Sequence, residues 1–229
     1  HRERHSFPTR RSSDLLKNYM KFFISATFLV FLSLTASAQT RIAIKGGFNY
    51  STARIYTGEN KQSTGYMPGG NLGIQLKTFF EGPLHFSPVV SYQTRGFVTR
   101  SKLTDDKTSN FIHYIDLAPL LSIDLKTAKK NSFVFSAGPV ASLAIAGTEK
   151  VTVNGISTSS KMRFSTTGNY GLFDFAIQAG VGYHLKKIYF EAIYQYGLAN
   201  INNNVAADFK NIRNRTLSLN LGYYFKSYE

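Results

Sequence analysis

Between residues 41 and 225 the chain alternates apolar and polar side chains with a period of two. The clearest case is FDFAIQAGVGYHL, Phe173–Leu185, in which Phe173, Phe175, Ile177, Ala179, Val181, Tyr183 and Leu185 alternate with Asp174, Ala176, Gln178, Gly180, Gly182 and His184. A period of two puts alternate side chains on opposite faces of a strand. Eight segments read this way, roughly 41–52, 70–80, 84–99, 111–125, 132–145, 171–185, 188–198 and 214–225, and no stretch reads as an amphipathic helix. Most of them run ten residues or more. Strands in water-soluble sheets usually have about five or six residues, whereas a tilted membrane-spanning strand needs about 9–11.

The connections alternate in length. Gly82-Pro83, 126–131 and Lys186-Lys187 are short, while 53–69, 100–110, 146–170 and 199–213 are long and polar. Transmembrane barrels of the outer-membrane type pair tight turns at one end with longer loops at the other.

The content of the polar faces separates a lipid-facing from a water-facing wall. A soluble barrel carries several charged residues per strand on its outer face. Here the faces opposite the apolar ones are small and neutral, as in Val134, Ser136, Gly138, Val140, Ser142 and Ala144, or Ser218, Asn220, Gly222 and Tyr224. Such residues suit the lumen of an eight-stranded barrel, which is just wide enough to be filled by side chains. The predicted fold is therefore all-β, an eight-stranded antiparallel up-and-down transmembrane β-barrel. By parity its lumen receives Lys45, Lys77 and Arg95 from the early strands and Asp116, Asp124, Asp174 and Glu191 from the later ones. Both signs occur, so the set reads as a structural polar network. The parity alone leaves the pairing open.

Composition agrees with this placement. Charged residues are 17% of the chain, against about 25% for a typical soluble domain, and aromatics are 14% with no Trp. There is no Cys, so neither disulfides nor a lipid-modified cysteine contribute. Residues 20–38, MKFFISATFLVFLSLTASA, have the charged start, apolar run and A-x-A site of a secretory signal. Residues 1–19 are set apart as a non-native leader, because Ser6–Leu15 matches the translation of a sequencing adapter. The barrel domain is then expected over 39–229. Six of the 27 Lys/Arg and two of the 13 Asp/Glu precede residue 39, which leaves a net of +10 in the barrel. Basic charge can signal nucleic acid. The cations are scattered and no Arg-rich run occurs, so no nucleic-acid partner is expected.

The segments Lys45–Asn49, YIDLAPLL (114–121), SAGP (136–139), QYGLANI (195–201) and NRTLSLNLGYYF (214–225) occur in that order. Together they resemble the PorT-like outer-membrane β-barrel family of Gram-negative bacteria, over about 41–225. The resemblance implies an outer-membrane location and a role linked to secretion of exported proteins. The tail Lys226–Glu229 departs from the terminal aromatic residue of such barrels.

Catalytic motifs are missing from the sequence. There is no H-E-x-x-H, no G-x-S-x-G and no phosphate-binding glycine loop. No catalytic residue, cofactor or metal is therefore expected. His113, on the apolar parity near a strand end, is the one residue that a lipid-modifying activity could use, and Asp105-Asp106 is a weak cation-binding candidate. The long connections, with the start of the last strand, hold eleven Lys/Arg against five Asp/Glu, among them Arg100, Lys102, Lys161, Arg163, Arg213 and Arg215. Cations there are attracted to phosphates of an outer leaflet. The expected partners are therefore outer-membrane lipid and lipopolysaccharide, with secretion-machinery or other envelope proteins, around a monomeric barrel. A small-solute channel, a lipid-modifying enzyme and a secreted soluble ligand-binding barrel stay open as alternatives.

Overall fold

The computed structural model describes residues 40–57, 60–100, 106–128, 131–165, 170–203 and 211–225. The leader and signal expected over 1–38, together with Lys102, Asp105 and the tail after Phe225, lie outside the described residues.

The alternating segments form β1 (Arg41–Thr57), β2 (Asn60–Gln62), β3 (Thr64–Glu81), β4 (Leu84–Phe86), β5 (Val89–Arg100), β6 (Lys107–Ala118), β7 (Leu121–Ala128), β8 (Asn131–Val153), β9 (Ile156–Lys161), β10 (Phe173–Leu185), β11 (Ile188–Gly197) and β12 (Asn211–Tyr224). Neighbours in the wall run β1-β12-β11-β10-β8-β6-β5-β3, and β3 pairs back with β1, so the sheet closes. All of the strand pairings are antiparallel. β4 continues into β5 and β6 into β7 as single wall strands, which gives the expected eight. Closure removes free edges through the membrane, as hydrocarbon requires of every backbone polar group.

Two prolines interrupt the wall at one level. Pro88 separates β4 from β5, and Pro119 separates β6 from β7, because proline supplies no N–H to a ladder. The gaps lie side by side and are bridged: Ser87 N donates to Leu120 O at 2.7 Å, Leu76 N donates to Pro88 O at 2.9 Å, and the Ser87 and Ser122 hydroxyls meet at 2.6 Å.

Burial follows parity most plainly in β6, β10 and β12. In β10 Phe173, Phe175, Ile177, Ala179, Val181 and Leu185 are exposed, Tyr183 is half-buried, and Asp174, Ala176, Gln178 and His184 are buried. β12 likewise exposes Leu217, Leu219, Leu221 and Tyr223 and buries Ser218, Asn220, Gly222 and Tyr224. Most of the large hydrophobic residues are therefore outside and most of the polar strand positions inside, the reverse of a soluble core. The exposed run from Leu217 to Phe225 spans about 27 Å along the strand at ~3.4 Å per residue, enough for a tilted outer-membrane band.

The expected long loops 53–69 and 146–170 are largely strand, and so are the described ends of 100–110. β1 and β3 extend past the apolar band and are joined through β2, β5 and β6 reach Arg100 and Lys107, and β8 runs 23 residues before turning into β9. These stretches are polar but keep their backbone pairing, so they stand above the membrane as hairpins. Asn154-Gly155 turns β8 into β9 with φ of 49° and 82°, the left-handed pair that a tight hairpin requires. Arg213 and Arg215, read from sequence as loop cations, consequently lie in β12 on the outer wall, Lys161 lies in β9 and Arg100 ends β5. Arg163 does follow a strand, in the connection to β10, and is exposed.

Candidate functional site: the filled lumen and its rims

All seven lumen residues named from sequence are buried inside the wall and fall into three groups. At the short-turn end Lys77 pairs with Asp124, and His85 Nδ1 lies 3.9 Å from the same carboxylate. Arg41 joins them by stacking over Tyr224 at 4.6 Å, and the rings of His184, Tyr189 and Tyr224 meet at 4.9–5.4 Å. Tyr189 donates its hydroxyl to Gln75 Oε1 at 2.9 Å, and its ring lies over Gly222. A Cβ at Gly222 would come within 2.1 Å of that ring, so glycine is needed there for close approach.

In the middle, Lys45 Nζ donates to Glu191 Oε2 at 3.0 Å, and Ser136 Oγ donates to the other oxygen at 3.4 Å. Amide side chains complete this level: Gln195 donates to Gln178 at 3.0 Å, and Asn71 to Asn49 and Asn220 at 2.7 and 2.8 Å. The space enclosed between Lys45, Gln93, Asp116, Gln178, Gln195 and Asn220 is about 20 Å³. That holds about one water.

Nearer the long-strand end Arg95 binds two carboxylates, pairing with Asp116 and lying 3.6 Å from Asp174. It also donates to Gln93 Oε1 at 2.8 Å and Ser142 Oγ at 3.2 Å, and stacks over Tyr114 at 4.8 Å. Asn214 closes the group by donating to Asp174 at 2.8 Å. Four cations (Arg41, Lys45, Lys77, Arg95) face four carboxylates (Asp116, Asp124, Asp174, Glu191), so the formal charge of this network is zero. Arg41 completes the balance. Its parity with Ala43 and Lys45 was its signal in the sequence, masked by its place as the first residue of a strand.

Above Arg95 the bore is closed by apolar side chains. Ala53, Ile55, Phe97, Ile112, Tyr114, Ala144 and Ile212 form one cluster, and Ile201 enters it from the connection after β11 with Met162 and Phe164 alongside. Gly171 N and Ile201 O hold that connection at 2.8 Å. Over this cap Tyr170 donates to Asn110 and Glu149, and burial beside the Glu149 carboxylate raises its pKa, so it stays protonated.

On the outer wall, His113 is bonded through Nδ1 to the Tyr92 hydroxyl and packed edge-on by Phe111 at 5.1 Å. This arrangement buttresses an aromatic rim. Among the described residues no group of three His, Cys, Asp or Glu could hold a metal ion.

Comparison with solved structures finds similar chains of low identity. Ail, the attachment invasion locus protein of Yersinia pestis, in complex with the heparin analogue sucrose octasulfate, is 16% identical with a TM-score of 0.43; the match covers 82% of this chain and 99% of that one. Neisserial surface protein A matches at 16% identity and TM-score 0.40, over 80% and 97% of the two chains. OprG from Pseudomonas aeruginosa matches at 14% and 0.36, over 81% and 95%. Among curated proteins none matches. The family model described as outer membrane protein beta-barrel domain matches residues 36–203. The chain belongs to that family, and is an outer-membrane β-barrel protein.

Proposed function

We propose that the protein is a non-conducting scaffold of the outer membrane, whose work is done by its outer surface and protruding strands. The carrying observation is the lumen: the space enclosed at its middle level is about 20 Å³, its charges balance, and its upper mouth is packed around Ile201. A solute path would need a continuous wet bore, whereas an eight-stranded wall leaves room only for side chains. A filled, ion-paired interior supports a rigid body that presents surfaces to lipid and to other envelope proteins. The motifs that resemble the PorT-like family support assistance to protein secretion as the finer reading. The cations above the apolar band support contact with phosphate-bearing lipid, lipopolysaccharide above all. No catalytic activity is assigned, since the outward His113 is spent on Tyr92.

Planar-bilayer recording of the refolded full chain tests the scaffold reading. The expected trace is flat at all voltages, and stepwise conductance that responds to Ile201→Gly would overturn it. Crosslinking in intact envelopes, with probes on β9, tests for a secretion partner: recovery of a discrete envelope protein supports that role, and recovery of lipid alone removes it.

A further inference from the structure

We infer that the outer rim formed by β1, β2, β3 and β12 is a binding site for the phosphate groups of a lipid head group. The inference deepens the outer-leaflet reading above and rests on it. Its starting point is the register. Arg54 of β1 stands directly opposite Arg213 of β12, and Arg215 stands opposite both Thr52 and Tyr196. Lys61 of β2 is opposite Tyr56. These residues share the outward parity. Opposed Cβ atoms in such a ladder are about 5 Å apart, and like charges so placed repel. The same arrangement recurs next door, where Arg100 of β5 stands opposite Lys107 of β6.

Arg54, Lys61, Arg215, Arg100 and Lys107 line two adjoining cavities, while Arg213 stands beside them and donates through Nε to Asn211 Oδ1 at 3.2 Å. One, of about 220 Å³, is lined among the described residues by Thr52, Arg54, Lys61, Thr64, Tyr66 and Arg215. The other, of about 490 Å³, adds Arg100 and Lys107 and shares Thr64 and Tyr66 with the first. Neither is lined by a described carboxylate, and none of the described ion pairs involves these cations. Aromatic faces orient the guanidiniums without neutralising them: Arg54 lies over Tyr56 at 4.8 Å and Arg215 over Tyr196 at 4.9 Å. Arg54 Nε is buried with no hydrogen-bond partner. The Thr52 and Thr64 hydroxyls are engaged with each other and with the carbonyls of Ala53 and Gly65, so recognition falls to the cations. A tetrahedral phosphate accepts from several arginines at once and relieves their repulsion.

The level of the site favours a lipid as the source of the phosphate. One register step below Arg215, Leu217 pairs with Tyr50 and Tyr194, the last apolar layer on these strands. The cavities open sideways above it, at head-group height. A lipid can therefore reach them with its chains still in the bilayer. Two adjoining cavities suit a head group that carries more than one phosphate.

The test uses the full chain refolded into phosphatidylcholine vesicles, doped with lipid A or with dephosphorylated lipid A. Thermal stability is read by gel mobility, and lipid affinity by titration. Wild-type protein is expected to be stabilised by lipid A alone, and Arg54→Gln and Arg215→Gln are each expected to weaken that affinity about tenfold. Lys126→Gln, at the opposite end, is expected to leave it unchanged. In vesicles without lipid A, Arg213→Gln is expected to be the more stable protein, because it relieves a repulsion. Wild-type affinity in both the Arg54 and Arg215 variants overturns the site but leaves the outer-leaflet reading. A wild-type protein indifferent to lipid A phosphates overturns that reading itself. Full competition by inorganic phosphate at low millimolar concentration overturns the lipid as the source.

Discussion

Replacing Arg95 by Met is the severest test of the lumen as the frame of this barrel. Arg95 is 2% exposed, and Asp116 and Asp174 are 1% and 0% exposed, so the guanidinium is the counter-charge for two buried carboxylates. Asp174 keeps a donor in Asn214, whereas the hydrogen bond described for Asp116 comes from Arg95 itself. Removing one partner of a buried pair costs about 3–5 kcal/mol, chiefly through the charge left behind. With a urea slope of about 2 kcal/mol/M, a loss of ~4 kcal/mol moves the unfolding midpoint down by ~2 M. The chain has no Trp, so unfolding in vesicles is followed by far-ultraviolet circular dichroism and heat-modifiable gel mobility. Arg95→Met/Asp116→Asn/Asp174→Asn removes the stranded charges together with the arginine, and is expected to recover most of the loss. If Arg95→Met alone unfolded within about 0.3 M of wild type, the ionic group would not be holding the wall. If the triple variant were no better than the single one, the cost would lie in shape and not in charge.

Other substitutions separate the inside of the wall from the outside, and the membrane from the space above it. Leu219 and Ile156 are both exposed, at 61% and 75%. Leu219→Arg in the apolar band is expected to cost about 2–4 kcal/mol in vesicles, whereas Ile156→Arg on the protruding hairpin is expected to stay within about 0.5 kcal/mol; equal effects would misplace the band. Gly222→Val drives a side chain into the Tyr189 ring and is expected to cost about 1–3 kcal/mol, most of it regained with Tyr189→Ala. Tyr170→Phe removes bonds to Asn110 and Glu149 above the cap and is expected to cost about 1 kcal/mol, with faster amide exchange confined to that mouth.

The alternation of Phe173–Leu185 was enough to assign every residue of that strand to lipid or lumen, because a closed two-faced wall has no third environment. The seven lumen charges were legible for the same reason. Their partners were not: Lys45 meets Glu191 from almost the other end of the chain, and which level each reaches depends on a register that parity does not encode. The upper extensions read as loops in the sequence because their outward positions are polar, although Ala53, Ile55 and Ile212 keep an apolar inward parity. Above the bilayer a strand needs only a partner for its backbone, which β1 finds in β2 and β12, and which β3, β5, β6 and β8 supply to one another. The Asn154-Gly155 turn was the local sign of this. Arg54 opposite Arg213 could be found only from the ladder, since nothing in either segment alone marks a site.

The pairing of β1 with β12 also sets the order in which the molecule can be made. Fourteen residue pairs, from Ala43 with Tyr224 to Tyr56 with Asn211, join the two strands furthest apart in sequence. The neighbouring hairpins of the wall form from nearby segments, but this seam cannot begin until the last strand has been synthesised and delivered. Until then the sheet has two long open edges, which hydrocarbon does not tolerate and which would pair with any strand on offer. Biogenesis must therefore shield an unclosed intermediate, and a chain cut short before β12 would be lost as aggregate and not as a weakened barrel.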